Sequence, residues 1–295
     1  MRVGLITPRP DHPLLAETAA LLVDAGHQVL VRDPSTTETT DARSGAPASG
    51  PRASESRASG PPASGPPASG PQADVYLLKA RTPRALALAR ELERRGARVV
   101  NSAGATALLQ DRTEMADVAR RAGLPFATTR TFAALADFAA GPPPAGPVVV
   151  KSRHSRKDDV VARVDTPRDL RELAARHPHE PVVVQEFAPN DGWDEKLWAV
   201  GRHVFAAHRR SELAHGDLDA PPPLPDRTDL VRRVGEVFGL QVYGVDVIST
   251  KDGTPLIVDI NAFPGIRGQA GAPEALASLA LGTDAAPLTL PACRS

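Results

Sequence analysis

A single cysteine, Cys293, stands near the end of this 295-residue chain. One thiol cannot form an internal disulfide, so a cross-linked secreted scaffold is excluded and a reducing cytoplasm is the expected compartment. Excess charge is lacking as well: Lys+Arg and Asp+Glu both number 35. With no field of one sign, neither nucleic acid nor an anionic membrane is an expected partner, and any charged ligand must be met by a local site. No apolar run approaches the roughly 20 residues that span a bilayer. The opening stretch, MRVGLITPRPDHP, reads as a strand followed by a Pro-rich loop and not as a secretory leader. There is no G-x-S-x-G elbow and no catalytic cysteine context, which removes the common acyl-enzyme chemistries.

Residues 35–73 lack almost everything that could be buried. They are Ser, Thr, Ala, Gly, Pro and a few charges, and ASGP recurs at 48–51, 58–61, 63–66 and 68–71. Ordering such a backbone would be uncompensated, so a low-complexity insertion acting as a tether is expected.

What is present around the tether alternates between strand and helix. RVGLIT is a strand, Leu14, Thr18, Leu21 and Leu22 mark one helical face ending at Gly26, and QVLVRD is a second strand. DVYLLKA, a helix begun at Pro83 and ended at Gly96, and RVVN repeat the pattern. Strand–helix–strand alternation predicts a parallel sheet, hence an α/β domain over 1–108.

From Asp111, a helix cap, the pattern changes. VVVK (148–151), the basic turn SRHSRKDD, VVARV, a helix from Thr166-Pro167 and PVVVQEFA (181–188) predict an antiparallel α+β unit. A third unit follows. KLWAV and HVFAAHR flank Gly201-Arg202, a two-residue connection that suits a hairpin. VYGVDVIS and PLIVDIN are joined around KDGT. A turn at 251–254 pairs Ile248 with Ile257 and Asp246 with Asp259. Asn261, two residues on, shares the face of Asp259.

Facing carboxylates repel, so a cation is expected between them. Asp246, Asp259 and Asn261 are hard oxygen donors, a poor zinc site and a fair partial shell for Mg²⁺. The alternative is that the two acids are separately solvated at strand ends and that Asn261 caps a turn.

The ordered set VVVK, QEFAPNDGWDEKLWAVG, HVFAAHRRS, GVDVI and VDINAFPG resembles the ATP-grasp superfamily over about 80–290. The likeness is to its RimK-like carboxylate–amine ligases and the related inositol-polyphosphate kinases. It implies α/β plus α+β architecture: a pre-ATP-grasp α/β domain (1–108), a small lobe (109–180), a C-terminal lobe with the metal site (181–290) and a tail (291–295).

It implies ATP clamped between two antiparallel sheets, with Asp246, Asp259 and Asn261 holding one or two Mg²⁺, or Mn²⁺. Lys151 matches a lysine on the nucleotide phosphates. Gln185, Glu186, Phe187 and Ala188 match the adenine hinge, Asp194 and Lys196 match a polar pair entering the next strand, and Arg209 or Arg210 matches the arginine facing the γ-phosphate. Alternation puts those two arginines on opposite faces, so one of them is expected to be catalytic.

The chain departs from the family twice. Arg112, in DRTEM, stands where a phosphate-contacting lysine is usual, and an arginine is not its geometric equivalent. The turn after Lys151 has no glycine and carries Arg153, His154, Arg156 and Lys157, leaving open whether these cover phosphate or are simply solvated. The expected activity is ligation of a small-molecule or peptide carboxylate to an amine; a small-molecule kinase and a non-catalytic nucleotide-binding scaffold are the alternatives. Oligomeric state is left open.

Overall fold

The computed structural model describes residues 1–36, 39–41, 72–214 and 216–283. The first unit comprises β1 (Arg2–Ile6), α1 (Pro13–Asp24), β2 (Gln28–Arg32), β3 (Thr39–Asp41), β4 (Val75–Leu78), α2 (Pro83–Arg94), β5 (Arg98–Val100) and α3 (Ala103–Leu108). Its five-stranded sheet has the order β3-β2-β1-β4-β5. β1 pairs in parallel with β2 on one side and β4 on the other, so the loops leaving β1 and β4 diverge at the carboxyl edge of the sheet.

β1 is buried on both faces. Val3 and Leu5 join the core under α1, while Ile6 packs with Tyr76, Leu86 and Ala89 under α2. In α1 the buried residues are Leu14, Leu15, Thr18 and Leu22. Leu21 is 37% exposed, contrary to expectation, because the stripe centres nearer Leu15 and leaves Leu21 at its margin. Thr39–Asp41, expected to be part of the tether, instead form an antiparallel edge strand on β2. The tether's residues 37–38 and 42–71 lie outside the described residues.

The second unit comprises α4 (Arg112–Arg121), β6 (Thr129–Phe132), α5 (Leu135–Ala140), β7 (Val148–Ser152), β8 (Val161–Val164), α6 (Pro167–Arg176) and β9 (Val182–Glu186). Its antiparallel sheet has the order β6-β9-β7-β8, and α5 and α6 bury one face through Leu135, Phe138, Leu170 and Leu173. β9 pairs with both β6 and β7. The lobe expected to end at 180 therefore runs through Glu186, since the Val-rich run 182–184 is the centre of this sheet.

The third unit comprises β10 (Trp193–Val200), β11 (His203–Arg210), α7 (Thr228–Phe238), β12 (Val242–Ser249), β13 (Pro255–Ala262) and α8 (Ala272–Leu281). The strands form a four-stranded sheet ordered β11-β10-β12-β13, with α7 and α4 over one face. Gly201, at φ +57, turns the β10–β11 hairpin.

α8 does not stay with this sheet alone. It is buried at Ala275, Leu276, Leu279 and Ala280 in one core with Leu15, Leu22, Val200 and Phe205, which fuses the first and third units. Asn101 adds a polar clamp: its amide donates to Val242 O (2.6 Å) and accepts from the Gln241 and Val242 amides (2.8 and 2.9 Å). The start of β12 is thus pinned to the first sheet.

Candidate active site

The register of β12 and β13 sets the site. The connecting loop is one residue longer than the sequence reading expects, so Ser249 faces Pro255 and Val247 faces Ile257. A β-bulge between Asp246 and Val247 then absorbs the slip and restores Asp246 opposite Asp259. Val258 is left without a cross-strand partner, as a bulge requires. Its carbonyl accepts a hydrogen bond from Lys151 Nζ at 2.7 Å, across from the neighbouring sheet.

Cross-strand pairing extends the polar face over all four strands. Asp194 faces Arg209, Lys196 faces Asp246, and Asp246 faces Asp259. Side chains two apart share a face, so Arg209, Asp194, Lys196, Asp246 and Asp259 form one charged row. Lys196 Nζ sits 2.7 Å from Asp246 and 3.7 Å from Asp194. Arg210 faces Trp193, on the other side of the sheet, and donates to Gly216 O. Arg209 lines the cavity and Arg210 does not.

Above this row lies a cavity of about 1010 Å³ including its open mouth. It is floored by β10, β12 and β13 and roofed by the small sheet. One end is apolar, with Val149 and Val161 from one sheet opposite Ile248 and Leu256 from the other. Gln185, Glu186, Phe187 and Ala188 run along its edge. Gln185 is 4% exposed and donates to Thr129 Oγ1 (3.0 Å), while the Phe187 amide is engaged by Pro147 O (3.0 Å). The Arg163 guanidinium stacks on the Phe187 ring at 3.8 Å. The other end gathers Arg112, Lys151, Lys196, Asp194, Asp246 and Asp259.

Two cations tie the sheets together there. Lys151 is 7% exposed; burial pushes its pKa down, partly offset by Asp259. Arg112, 6% exposed, donates to Asp159 (2.6 Å) and Ser152 O (2.8 Å) and reaches Asp259 at 3.5 Å. Burial opposes the guanidinium's charge, but Asp259 and Asp159 outweigh it and hold the pKa above its ordinary value. Asp246 is the mirror case. Burial and the neighbouring Asp259 raise its pKa against the pull of Lys196.

Asp246 and Asp259 are side by side in the cavity, hard oxygen donors of the kind Mg²⁺ takes. Asn261 is two pairs further along, opposite Gly244, and is not part of the cavity lining. Among the described residues no three His, Cys, Asp or Glu side chains cluster as a metal site. The donor set is thus two carboxylates with one amide beside them, a partial shell to be completed by a ligand that brings its own oxygens. The basic turn is largely committed elsewhere. Arg153 grips Asp111 (2.7–3.0 Å) and Arg156 grips Glu180 (2.7 and 2.8 Å). The Val258 carbonyl, Asp159 and the apolar walls have no signature in the sequence.

No protein-family profile matches the chain. Over 109 residues it is 34% identical to a probable alpha-L-glutamate ligase of Xanthomonas campestris pv. campestris, an alignment covering 33% of this chain and 37% of that protein. The chain thus spans well under half the length of the curated relative it matches. It superposes with a TM-score of 0.67 and 25% identity on a RimK domain ATP-grasp protein of Sphaerobacter thermophilus, covering 96% of this chain and 100% of the other.

The chain has the ATP-grasp fold.

Its similarity is to RimK-like proteins of that fold. The same fold recurs at 15% identity in the ADP complex of N5-carboxyaminoimidazole synthetase from Staphylococcus aureus, with a TM-score of 0.62 over 98% of this chain and 78% of that one. Among the described residues no helix is long and apolar enough to cross a membrane.

Proposed function

We propose that the protein is an ATP- and Mg²⁺-dependent ligase joining a carboxylate to an amine, working in the cytoplasm on a small-molecule or peptide substrate. The observation that carries this reading is the two-ended cavity: apolar walls at one end, and at the other a row of alternating charges facing Lys151 and Arg112. A purine fits between Val149, Val161, Ile248 and Leu256, with Gln185 to Ala188 along its edge. The triphosphate then lies over the charged row, where Lys151 and Lys196 meet it as point charges.

Asp246 and Asp259 would hold Mg²⁺, or Mn²⁺, with Asn261 beside them; the bound cation neutralises phosphate charge and relieves the repulsion between the two acids. Arg209 now pairs with Glu212 at the mouth of the cavity. Released from that pair, it is placed to face the transferring phosphoryl group. Phosphoryl transfer needs positioning and charge neutralisation more than a side-chain nucleophile, and the site supplies those two things. A carboxylate oxygen takes the γ-phosphoryl group to give an acyl phosphate and ADP. The amine then attacks the acyl carbon, the C–O bond to phosphate breaks, and an amide, inorganic phosphate and a proton result.

The name of the Xanthomonas relative supports a ligase over a kinase. Product analysis tests this. Screening acids and amines for ADP release should yield an amide with equimolar free phosphate. A phosphorylated alcohol without free phosphate would mark a kinase, and ATP binding without turnover across the screen would mark a scaffold.

A further inference from the structure

A second group of charges lies at the carboxyl edge of the first sheet, between the diverging loops after β1 and β4. Arg9 and His12 come from one loop and Lys79 and Arg81 from the other. Arg267 comes from the loop after β13. Lys79 Nζ donates to Phe263 O at 2.8 Å, fastening the β13 loop onto this edge. Gly265 approaches so closely that a Cβ there would lie 3.2 Å from His12 Nε2.

The group is short of negative charge. Among the described residues none of Arg9, Lys79, Arg81 and Arg267 has a carboxylate ion-pair partner, and at His12 the pull of Asp11 is smaller than the opposing effects of Lys79, Arg267 and Arg9. His12 is 8% exposed and its Nδ1 has no hydrogen-bond partner among the described residues. A buried polar atom without a partner is costly to leave so. The 12-residue helices α1 and α2 both begin here, at His12 and Thr82, and neither carries an acid in its first turn, where one is favoured. Burial, then repulsion from Arg81, Arg9 and Arg267, pushes the pKa of Lys79 down to about 8.

We infer that this cluster binds an anionic group of the acceptor substrate, carboxylate or phosphate oxygens on a part of the molecule that does not react. The inference rests on the ligase reading for what lies at the substrate's other end. Phe263 is four residues beyond Asp259, about 13 Å of extended chain, so a substrate anchored here could present its reacting end to the charged row. A cluster at the point where strand order reverses is also where open α/β sheets receive ligands.

Calorimetric titration of the full chain with succinate, with inorganic phosphate and with neutral succinamide tests this, Mg–ADP being present to fill the nucleotide cavity. Wild type should bind at least one of the two anions and not succinamide, the stronger anion showing whether carboxylate or phosphate is preferred. The double variant Arg81→Gln/Arg267→Gln should lose at least tenfold in anion affinity, with its melting temperature and Mg–ADP affinity unchanged. Absence of anion binding by wild type at millimolar concentration, or equal binding by the double variant, would overturn the inference. Failure of Mg–ADP to bind would instead strike at the ligase reading, so the two are separable in one experiment.

Discussion

Replacing Arg112 with methionine probes the latch between the two sheets that enclose the cavity. The substitution keeps an apolar stem in a site where the side chain is 6% exposed, and removes the bonds to Asp159 (2.6 Å) and Ser152 O (2.8 Å) and the longer contact with Asp259. A hydrogen bond involving a charged group contributes about 1.5–3 kcal/mol, so the two short bonds bracket about 3–6 kcal/mol. Asp159 and Asp259 keep some access to solvent, which places the expected loss near the lower end, about 3 kcal/mol. At about 2–4 °C per kcal/mol the melting temperature should fall by about 6–12 °C. Arg112→Lys keeps the charge but not the fork and should lose about half as much. Urea unfolding of both, and of each combined with Asp159→Asn, gives the coupling, expected at about 1–2 kcal/mol. A methionine variant within about 1 kcal/mol of wild type, or a coupling of zero, would refute the latch.

Three further outcomes follow from other parts of the molecule. Lys79 has a folded-state pKa of about 8 against 10.5 for the free side chain, so the folded state loses its proton first. Wild type should therefore gain stability relative to Lys79→Met as pH rises from about 8 to 10.5, by at most about 3 kcal/mol, and a difference flat across that window in urea melts contradicts it. Gly235→Ala should destabilise despite a gain of about 1 kcal/mol in helix propensity, because the new Cβ overlaps the Tyr243 hydroxyl; a raised melting temperature would show that the ring yields. Replacing residues 42–71 with about eight Gly/Ser residues, enough to cross the roughly 14 Å from β3 to β4, should leave turnover intact and add about 1 kcal/mol through cheaper loop closure. Loss of turnover at unchanged stability would make that segment part of the site.

The alternation of strands and helices in the first unit was legible because its runs are separated by Gly26, Pro83 and Gly96, which punctuate the chain locally. The pairing of Asp246 with Asp259 was legible for a similar reason, a short turn between two strands. Its route was not: the longer loop and the compensating bulge cancel, and no local pattern announces either. α8 was hidden because burial on most sides removes the amphipathic contrast by which a helix is recognised. The division at 180 failed because sheet membership of β9 depends on β6 and β7, distant in sequence. Arg209 could be separated from Arg210 only through a cross-strand partner, Asp194. The acid that holds Arg112, Asp159, lies 47 residues away in a turn that reads as plain solvated charge.

The proposal stands most directly on nucleotide binding at the charged end of the cavity. Calorimetric titration of ATP into wild type, Lys151→Met and Asp259→Ala, each with and without Mg²⁺, measures it. Binding by wild type should depend on the metal, fall at least tenfold in Lys151→Met, or about 1.4 kcal/mol, and lose its metal dependence in Asp259→Ala, with far-UV circular dichroism unchanged throughout. No ATP binding by wild type, or equal metal-dependent affinity in all three proteins, would contradict the proposal.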